Sequence, residues 1–240
     1  MGILNYGNYY LSGEKFLIHT ILKKYIEQRQ PVFFDIGANI GDYSIELGLE
    51  FPDASIYAFE PNPISYRILQ SKVKNLNLKF YNIGFGSSES NLDFYTDKND
   101  LGSSHGSFYK EVLTDIHKYK DLLSLRIKST KLDTFCVDND ISYIDFLKID
   151  TEGNEFDILL GARKLILEDR IKLIQFEFNE MNVISRVFLR DYFLLLNNFD
   201  FFRLHTNKLI PLPEYDTSQE IFKFQNILAI NKFMKYKYPL

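Results

Sequence analysis

Apolar and polar positions along the 240-residue chain alternate between two periods. From Gly13 to Gln30, Phe16, Leu17, Ile18, Ile21, Leu22, Tyr25 and Ile26 recur at three-to-four spacing, which predicts an amphipathic helix ended by Pro31. The run Val32 to Ile36, bounded by Pro31 and Gly37, has the continuous apolar character of a strand buried on both faces. Tyr43, Leu47 and Phe51 mark one face of a helix over Asp42 to Phe51, and Ser55 to Phe59 predicts a second strand. Asn62 followed by Pro63 is a helix-start signal, with a capping side chain and proline in the first turn. That helix shows Tyr66, Leu69, Val73 and Leu76 on one side, and Leu78 to Ile83 predicts a third strand.

Strand alternating with helix over the first 85 residues predicts βαβ units and a parallel sheet. The alternation pauses between about 86 and 140, where the pattern gives a strand at Leu92 to Tyr95, a Gly/Ser-rich loop at Gly102 to Ser107 and a helix near 109–123. It resumes with a strand at Ile144 to Ile149, a helix from about Glu155, a strand at Leu173 to Phe178 and a helix near Arg186 to Leu196. Phe199 to Leu204 and Asn226 to Ile230 are the last two predicted strands, separated by a long loop, Thr206 to Glu220, suited to covering a pocket. No repeat or linker divides the chain, so it reads as one doubly wound α/β domain over 1–240, with a helical extension at 1–30 and an insertion at 86–140.

Composition narrows the function classes. The 45% hydrophobic and 25% charged content is that of a globular protein. A net charge of −4 argues against a dedicated nucleic-acid binder. The single Cys136 excludes a disulfide framework and a cysteine-rich zinc site, and it lacks the pattern of a nucleophile. No run approaches the roughly 20 apolar residues of a membrane span. The N-terminus has neither the pattern of a signal peptide nor that of myristoylation, which makes a cytoplasmic protein the expectation. The aromatic, basic tail Lys232 to Tyr238 reads as a solvated end.

The chemistry is expected at the carboxyl ends of the parallel strands, where open α/β sheets bind ligands. Asp35, Gly37, Ala38, Asn39, Ile40 and Gly41 follow the first strand; the two glycines permit a tight turn and close backbone approach. Glu60 ends the second strand, 19 residues past Gly41, where a carboxylate can accept hydrogen bonds from both hydroxyls of a ribose. Together they indicate a nucleoside cofactor. The loop lacks the middle glycine of G-x-G-x-x-G, and a carboxylate at Asp35 repels a pyrophosphate but suits a cationic amino-acid moiety, so S-adenosylmethionine fits better than NAD.

Three ordered motifs carry a family resemblance: Asp35 to Ser44, Phe59 to Pro63, and Phe146 to Glu155. With Leu132-Asp133-Thr134-Phe135 and Asn226 to Ile230, they resemble the FkbM family of methyltransferases over roughly residues 14–232. The resemblance implies a class I fold: Rossmann-like and doubly wound, with a mostly parallel seven-stranded sheet, helices on both faces and an antiparallel last strand. It implies S-adenosylmethionine as cofactor, held by Asp35, Gly37, Asn39, Gly41, Glu60 and Asn62, and O-methylation of a sugar, glycan or other small-molecule hydroxyl. Residues 96–128 match nothing in the family with confidence, and the 86–140 insertion is expected to contribute to the acceptor site.

Asp150, at the end of the fourth parallel strand, is expected beside the transferring methyl, where a carboxylate can orient the acceptor hydroxyl, take its proton or bind a metal. The competing structural role is a helix cap by Asp150 or Thr151. His105, in the Gly/Ser loop, is a second candidate base, against a merely solvated histidine; His19, His117 and His205 read as structural or solvated. Glu177 and Asn179 end the fifth strand, and with Asp150 they make an all-oxygen set suited to Mg²⁺ or Ca²⁺; the alternative, preferred here, is that no metal is held and Glu177 shapes the pocket or binds the acceptor. Two other readings remain: a catalytically silent S-adenosylmethionine-fold protein that serves binding or assembly, and an NAD-dependent oxidoreductase. Neither the acceptor nor the oligomeric state is legible.

Overall fold

Strands rich in β-branched and aromatic residues, each followed by an amphipathic helix, bury both faces only if the helices pack on either side of the sheet. The computed structural model describes residues 1–27, 30–73, 76–102 and 105–234. The predicted end of the first helix at Gln28 and Arg29, Ser103 and Ser104 of the Gly/Ser loop, and the tail from Lys235 lie outside the described residues.

The N-terminal helical segment runs as α1 (Glu14–Phe16), a π-wound stretch at Leu17–Leu22 and α2 (Lys23–Tyr25). Then come β1 (Val32–Ile36), α3 (Asp42–Glu50), β2 (Ser55–Phe59), α4 (Pro63–Lys72), β3 (Leu78–Tyr81) and β4 (Gly84–Phe85). The insertion contains β5 (Ser90–Asp97), a π turn at Val112–Ile116, β6 (Leu122–Thr130) and α5 (Leu132–Asp138). The remainder is β7 (Ile144–Ile149), α6 (Glu155–Gly161), α7 (Arg163–Leu167), β8 (Ile171–Phe178), α8 (Met181–Ser185), α9 (Leu189–Leu195), β9 (Phe199–Leu204), β10 (Leu209–Leu212) and β11 (Gln225–Asn231).

The main sheet has the order β10-β9-β11-β8-β7-β1-β2-β3. The β3, β2, β1, β7 and β8 strands are parallel, and β11 inserts antiparallel between β8 and β9. The sheet is Rossmann-like as expected, with one strand more than the expected seven. Part of the predicted 206–220 loop folds back as β10, antiparallel to β9, because Leu209, Ile210 and Leu212 can pair along an otherwise open edge. That segment is therefore an edge strand and not a free lid.

A second difference lies in the insertion. The helix expected near 109–123 is only a short π turn, and the chain then forms β6, which pairs antiparallel with the whole of β5 in a separate sheet of order β4-β6-β5. The alternation of Leu123, Leu125 and Ile127 with Ser124, Arg126 and Lys128 is the strand signal.

Alternate strand residues point to opposite cores. Phe34, Ile36, Leu147, Ile149, Ile174 and Phe176 face the layer of α5, α6, α7 and α9. Phe33, Phe146, Leu173 and Leu228 face Leu17, Ile18 and Leu22 of the N-terminal helix, and Leu47 of α3. Each of those three helix residues is 0% exposed. At about 1.5–3 kcal/mol for full burial of such a side chain, they suffice to dock the segment on the sheet. The Leu132-Asp133-Thr134-Phe135 motif also acquires a structural explanation. The Asp133 carboxylate accepts the N–H groups of Lys164 (2.9 Å) and Leu165 (3.0 Å) at the start of α7, while Leu132 and Phe135 enter the core. Among the described residues, no helix is long and apolar enough to cross a membrane.

Candidate active site

The loop after β1 turns on Gly37 at φ +83°, where an added Cβ would lie 1.7 Å from the Asp150 carbonyl oxygen. Only glycine allows the β1 and β7 loops to touch there. Gly41, at φ +91°, packs on the Leu69 side chain of α4, which an added Cβ would approach to 2.4 Å. Asn39 (φ 48°) and Glu152 (φ 56°) are left-handed without being glycine, one in each of these two loops. Such backbone strain persists where the surroundings hold it, and it gathers at binding sites.

Asp35 lies behind the glycine loop. It is 0% exposed, accepts from Ser44 Oγ at 2.5 Å and sits 3.4 Å from Lys148 Nζ, its register partner on β7. Lys148 in turn reaches Asp150 at 3.1 Å and lies 4.8 Å over the Tyr43 ring. Burial alone would push the Lys148 ammonium down, but Asp150, Asp35 and Glu14 outweigh it and hold the group well above its ordinary value, hence charged. Asp35 is thus fully buried and faces the cavities through Lys148.

Glu60 ends β2 with both oxygens engaged: Oε2 accepts from Asn39 N at 2.8 Å and Oε1 from Asn62 N at 2.7 Å. Burial pushes its carboxyl up to about 7, opposed by those two backbone donors. The Asn62 side chain is occupied elsewhere, since Oδ1 caps α4 at Ile64 N and Nδ2 donates to Leu101 O. It braces the insertion rather than lining a cavity.

The role of Asp150 is separated from that of a helix cap by Glu155. Glu155 Oε1 accepts the N–H groups of Thr151 (2.9 Å) and Gly153 (3.2 Å), so the turn before α6 is closed from within the helix. The Asp150 carboxylate, one-third exposed, is left to Lys148 and to the open space.

Three cavities share Gly37, Asn39 and Asp150 as walls. One, of about 40 Å³, is an apolar slot beside Glu60, framed by Ile83, Phe85, Phe94 and Phe108. The second, of about 580 Å³, carries Glu14, Tyr43, Lys148 and Asp150 and so presents both signs of charge. The third, of about 430 Å³, brings together the predicted His105, Asp150, Glu177 and Asn179 with His117, Glu152 and Glu180. His117, within the helix expected near 109–123, reads from the sequence as structural or solvated. In the structure its ring stacks on His105 at 4.2 Å, and its Nε2 lies 3.4 Å from Glu152 Oε2, while His105 Nδ1 meets Tyr119 OH at 2.7 Å. Burial pushes both imidazoles below their ordinary value. Burial, with Asp150 and further carboxylates nearby, holds Glu177 and Glu152 well above the usual carboxylate range.

Asn179 points its Nδ2 at Glu177 (3.1 Å), while its Oδ1 accepts Met181 N. The oxygen required for the proposed Asp150, Glu177 and Asn179 metal set is therefore turned away, and among the described residues no group of three or more His, Cys, Asp or Glu side chains is placed to hold a metal. The remaining titratable candidates are spoken for: His19 pairs with Glu46 and Glu50, His205 contacts Thr206 and Asn207, and burial pushes the Cys136 thiol up to about 12.

A parallel sheet with a glycine loop and two carboxylates at adjoining strand ends defines a class I methyltransferase fold. The solved structure of methyltransferase FkbM from Methylobacillus flagellatus KT superposes with a TM-score of 0.52 at 14% identity, over 89% of this chain and 47% of that one. A family model for the methyltransferase FkbM domain matches residues 35–203, and the chain belongs to that family. Relatives include the 2-O-methyltransferase NoeI of Sinorhizobium fredii, 20% identical over 68% of this chain and 70% of the relative. The hexuronic acid methyltransferase AglP of Haloferax volcanii is 24% identical over 63% of this chain and 57% of the relative. The chain thus spans less than two thirds of AglP and about half of the solved structure.

Two outcomes follow from this geometry. Asp35→Ala leaves Lys148 buried with one near partner fewer. Chemical denaturation should show a loss of about 3–5 kcal/mol, the cost of breaking a buried pair, towards the lower end because Asp150 remains. The second concerns pH. Folded Glu60 holds its proton up to about 7, whereas the unfolded carboxyl releases it near 4.5. Its contribution to stability is therefore complete below the lower value and lost as pH rises through the upper one. Glu60→Gln cannot ionise, so its melting temperature should gain on that of the wild type between about pH 5 and about pH 8. A difference that stays constant with pH would show that Glu60 does not titrate there.

Proposed function

We propose that this chain transfers a methyl group from S-adenosylmethionine to a hydroxyl oxygen of a sugar or other small molecule. The observation that carries this reading is the convergence of Glu60, the Gly37–Asn39 turn and Asp150 on one set of adjoining cavities. The residues fit the cofactor. Glu60 stands where ribose hydroxyls can donate to it, beside an apolar slot framed by Ile83, Phe85, Phe94 and Phe108. Lys148, Asp150 and Glu14 offer both charges that a zwitterionic amino-acid moiety needs. Asp35 acts behind them as the positioning group of Lys148, and Gly41 and Asn62 fix the loop and helix on which Asn39 and Glu60 depend.

Bound S-adenosylmethionine supplies an electrophilic methyl carbon on a sulfonium. What remains for the chain is to position the acceptor and to accept its hydroxyl proton. Asp150 is assigned that proton because its carboxylate opens onto the cavity of His105, His117 and Glu177. Glu177, on the wall of the same cavity, binds the acceptor by hydrogen bonding. His105 and His117 line the same cavity and are the next groups to take the proton. The insertion that contributes His105 and His117 belongs to the acceptor side. Two relatives carry O-methylation in their names, NoeI and the 31-O-demethyl-FK506 methyltransferase FkbM of Streptomyces tacrolimicus, which supports a hydroxyl acceptor here.

Calorimetry with S-adenosylhomocysteine tests the cofactor half: Glu60→Ala should weaken binding by about 1.5–3 kcal/mol, the range for hydrogen bonds to a charged group. Unchanged affinity would sink the assignment. For the chemistry, Asp150→Asn removes the charge in nearly the same shape. Turnover should fall by about 10²–10⁴, with cofactor affinity largely retained. Near-normal turnover would move the proton to His105, and inactivation of the wild type by a chelator, reversed by Mg²⁺, would restore the metal reading.

A further inference from the structure

The acceptor cavity has two walls of opposite character, and one of them is built outside the family span of residues 35–203. That wall is Tyr6 and Phe224, whose rings meet edge to face at 5.9 Å and 81°. Tyr6 sits on a strap that crosses the ends of β8, β9 and β11. The strap is fixed on one side of Tyr6 by Leu4 N–H donating to Phe224 O at 2.8 Å, and by Gly2 lying against the Leu204 carbonyl oxygen. On the other side, Asn226 Nδ2 donates to Ser12 O at 3.4 Å, and Gln175 Nε2 to Glu14 Oε1 at 3.3 Å. Between these anchors the Tyr6 ring is held at the cavity mouth but left 66% exposed. A large ring fixed in place and still wet is an unfilled contact surface.

The facing wall is Glu152, Glu177 and Glu180, and among the described residues no lysine or arginine lines this cavity. Glu180 Oε2 is buried and accepts no hydrogen bond from the protein, an acceptor left for a donor that the chain itself does not provide. At about 430 Å³ the space lies in the range of small-molecule sites. A pyranose ring matches both walls: its C–H face packs on an aromatic ring, and its hydroxyls donate to carboxyl oxygens. A carboxylate on the same ring brings only acceptors, to a wall on which no lysine or arginine meets it and where Glu180 Oε2 already lacks a donor.

Resting on the methyltransferase reading above, we infer that Tyr6 and Phe224 form the platform for the acceptor's sugar ring, and that the glutamate wall restricts the acceptor to saccharides without a carboxylate. Tyr6 is thereby a specificity-determining residue, and this chain differs in acceptor charge from the relative named for hexuronic acid.

The test is saturation-transfer NMR on the full chain, with and without S-adenosylhomocysteine. The probes are the methyl glycosides of glucose, galactose, mannose and rhamnose, and those of glucuronic and galacturonic acid. At least one neutral glycoside should receive saturation, and the uronides should bind about tenfold more weakly or worse. Tyr6→Ala should weaken the neutral glycoside about fivefold, and Tyr6→Phe should not, because the ring face and not the hydroxyl makes the contact. Phe224→Leu serves as a second variant, and circular dichroism checks that each variant is folded. Uronides binding as well as the neutral sugars, no transfer to any neutral glycoside, or full binding by both Tyr6→Ala and Phe224→Leu would overturn the inference. Calorimetry with S-adenosylhomocysteine reads the cofactor assignment separately, so failure of one does not mask failure of the other.

Discussion

The site is organised around one buried cation. Lys148 is 4% exposed at the centre of the sheet, between Asp35 on β1 and Asp150 beyond the end of β7. An ammonium there is tolerable only with compensating charge, which two carboxylates and the face of Tyr43 provide. The same arrangement fixes Asp150, because its carboxylate is drawn to Lys148 while its backbone carbonyl presses on Gly37. One ion triad therefore sets where the β1 loop, the β7 loop and the open space between them lie.

Around that centre the buried carboxyls are all raised, but not equally. Glu60 and Glu155 are both pushed up to about 7 by burial, and each is restrained by backbone N–H groups that favour the ionised form. Glu152 and Glu177 lack such donors, and burial with neighbouring carboxylates holds both well above the usual carboxylate range. Adjacent strand ends thus hold carboxyls raised to different degrees, a difference set by desolvation and by where backbone donors point.

The family match and the chain's own additions fall on different parts of the molecule. Residues 35–203 contain the glycine loop, Glu60, Asp150 and the two histidines. The N-terminal segment supplies Glu14 and Tyr9 to one cavity and Tyr6 to another. It is joined to the sheet through Gln175, which accepts from Tyr43 OH at 2.7 Å and donates to Glu14 and Asn226. A buried amide with each group satisfied in this way ties the outer segment to the sheet.

The sequence by itself determined the parallel strands, the loops at their ends and the acidic residues that close them. Each of these rests on local signals: continuous apolar runs, glycines between strand and helix, and Asn62-Pro63 at a helix start. The alternation in Leu122–Thr130 was equally local, but an overlapping helical spacing obscured it until β5 supplied a partner. Only the tertiary structure decided which charges meet. Asp35 and Lys148 lie more than 100 residues apart, so nothing in the spacing showed that Asp35 faces inward to a lysine. His117 on His105, Glu155 taking over the turn from Asp150, and Tyr6 on Phe224 have the same origin. Periodicity records which face of an element is buried, whereas side chains from distant elements become neighbours only when the sheet order is complete.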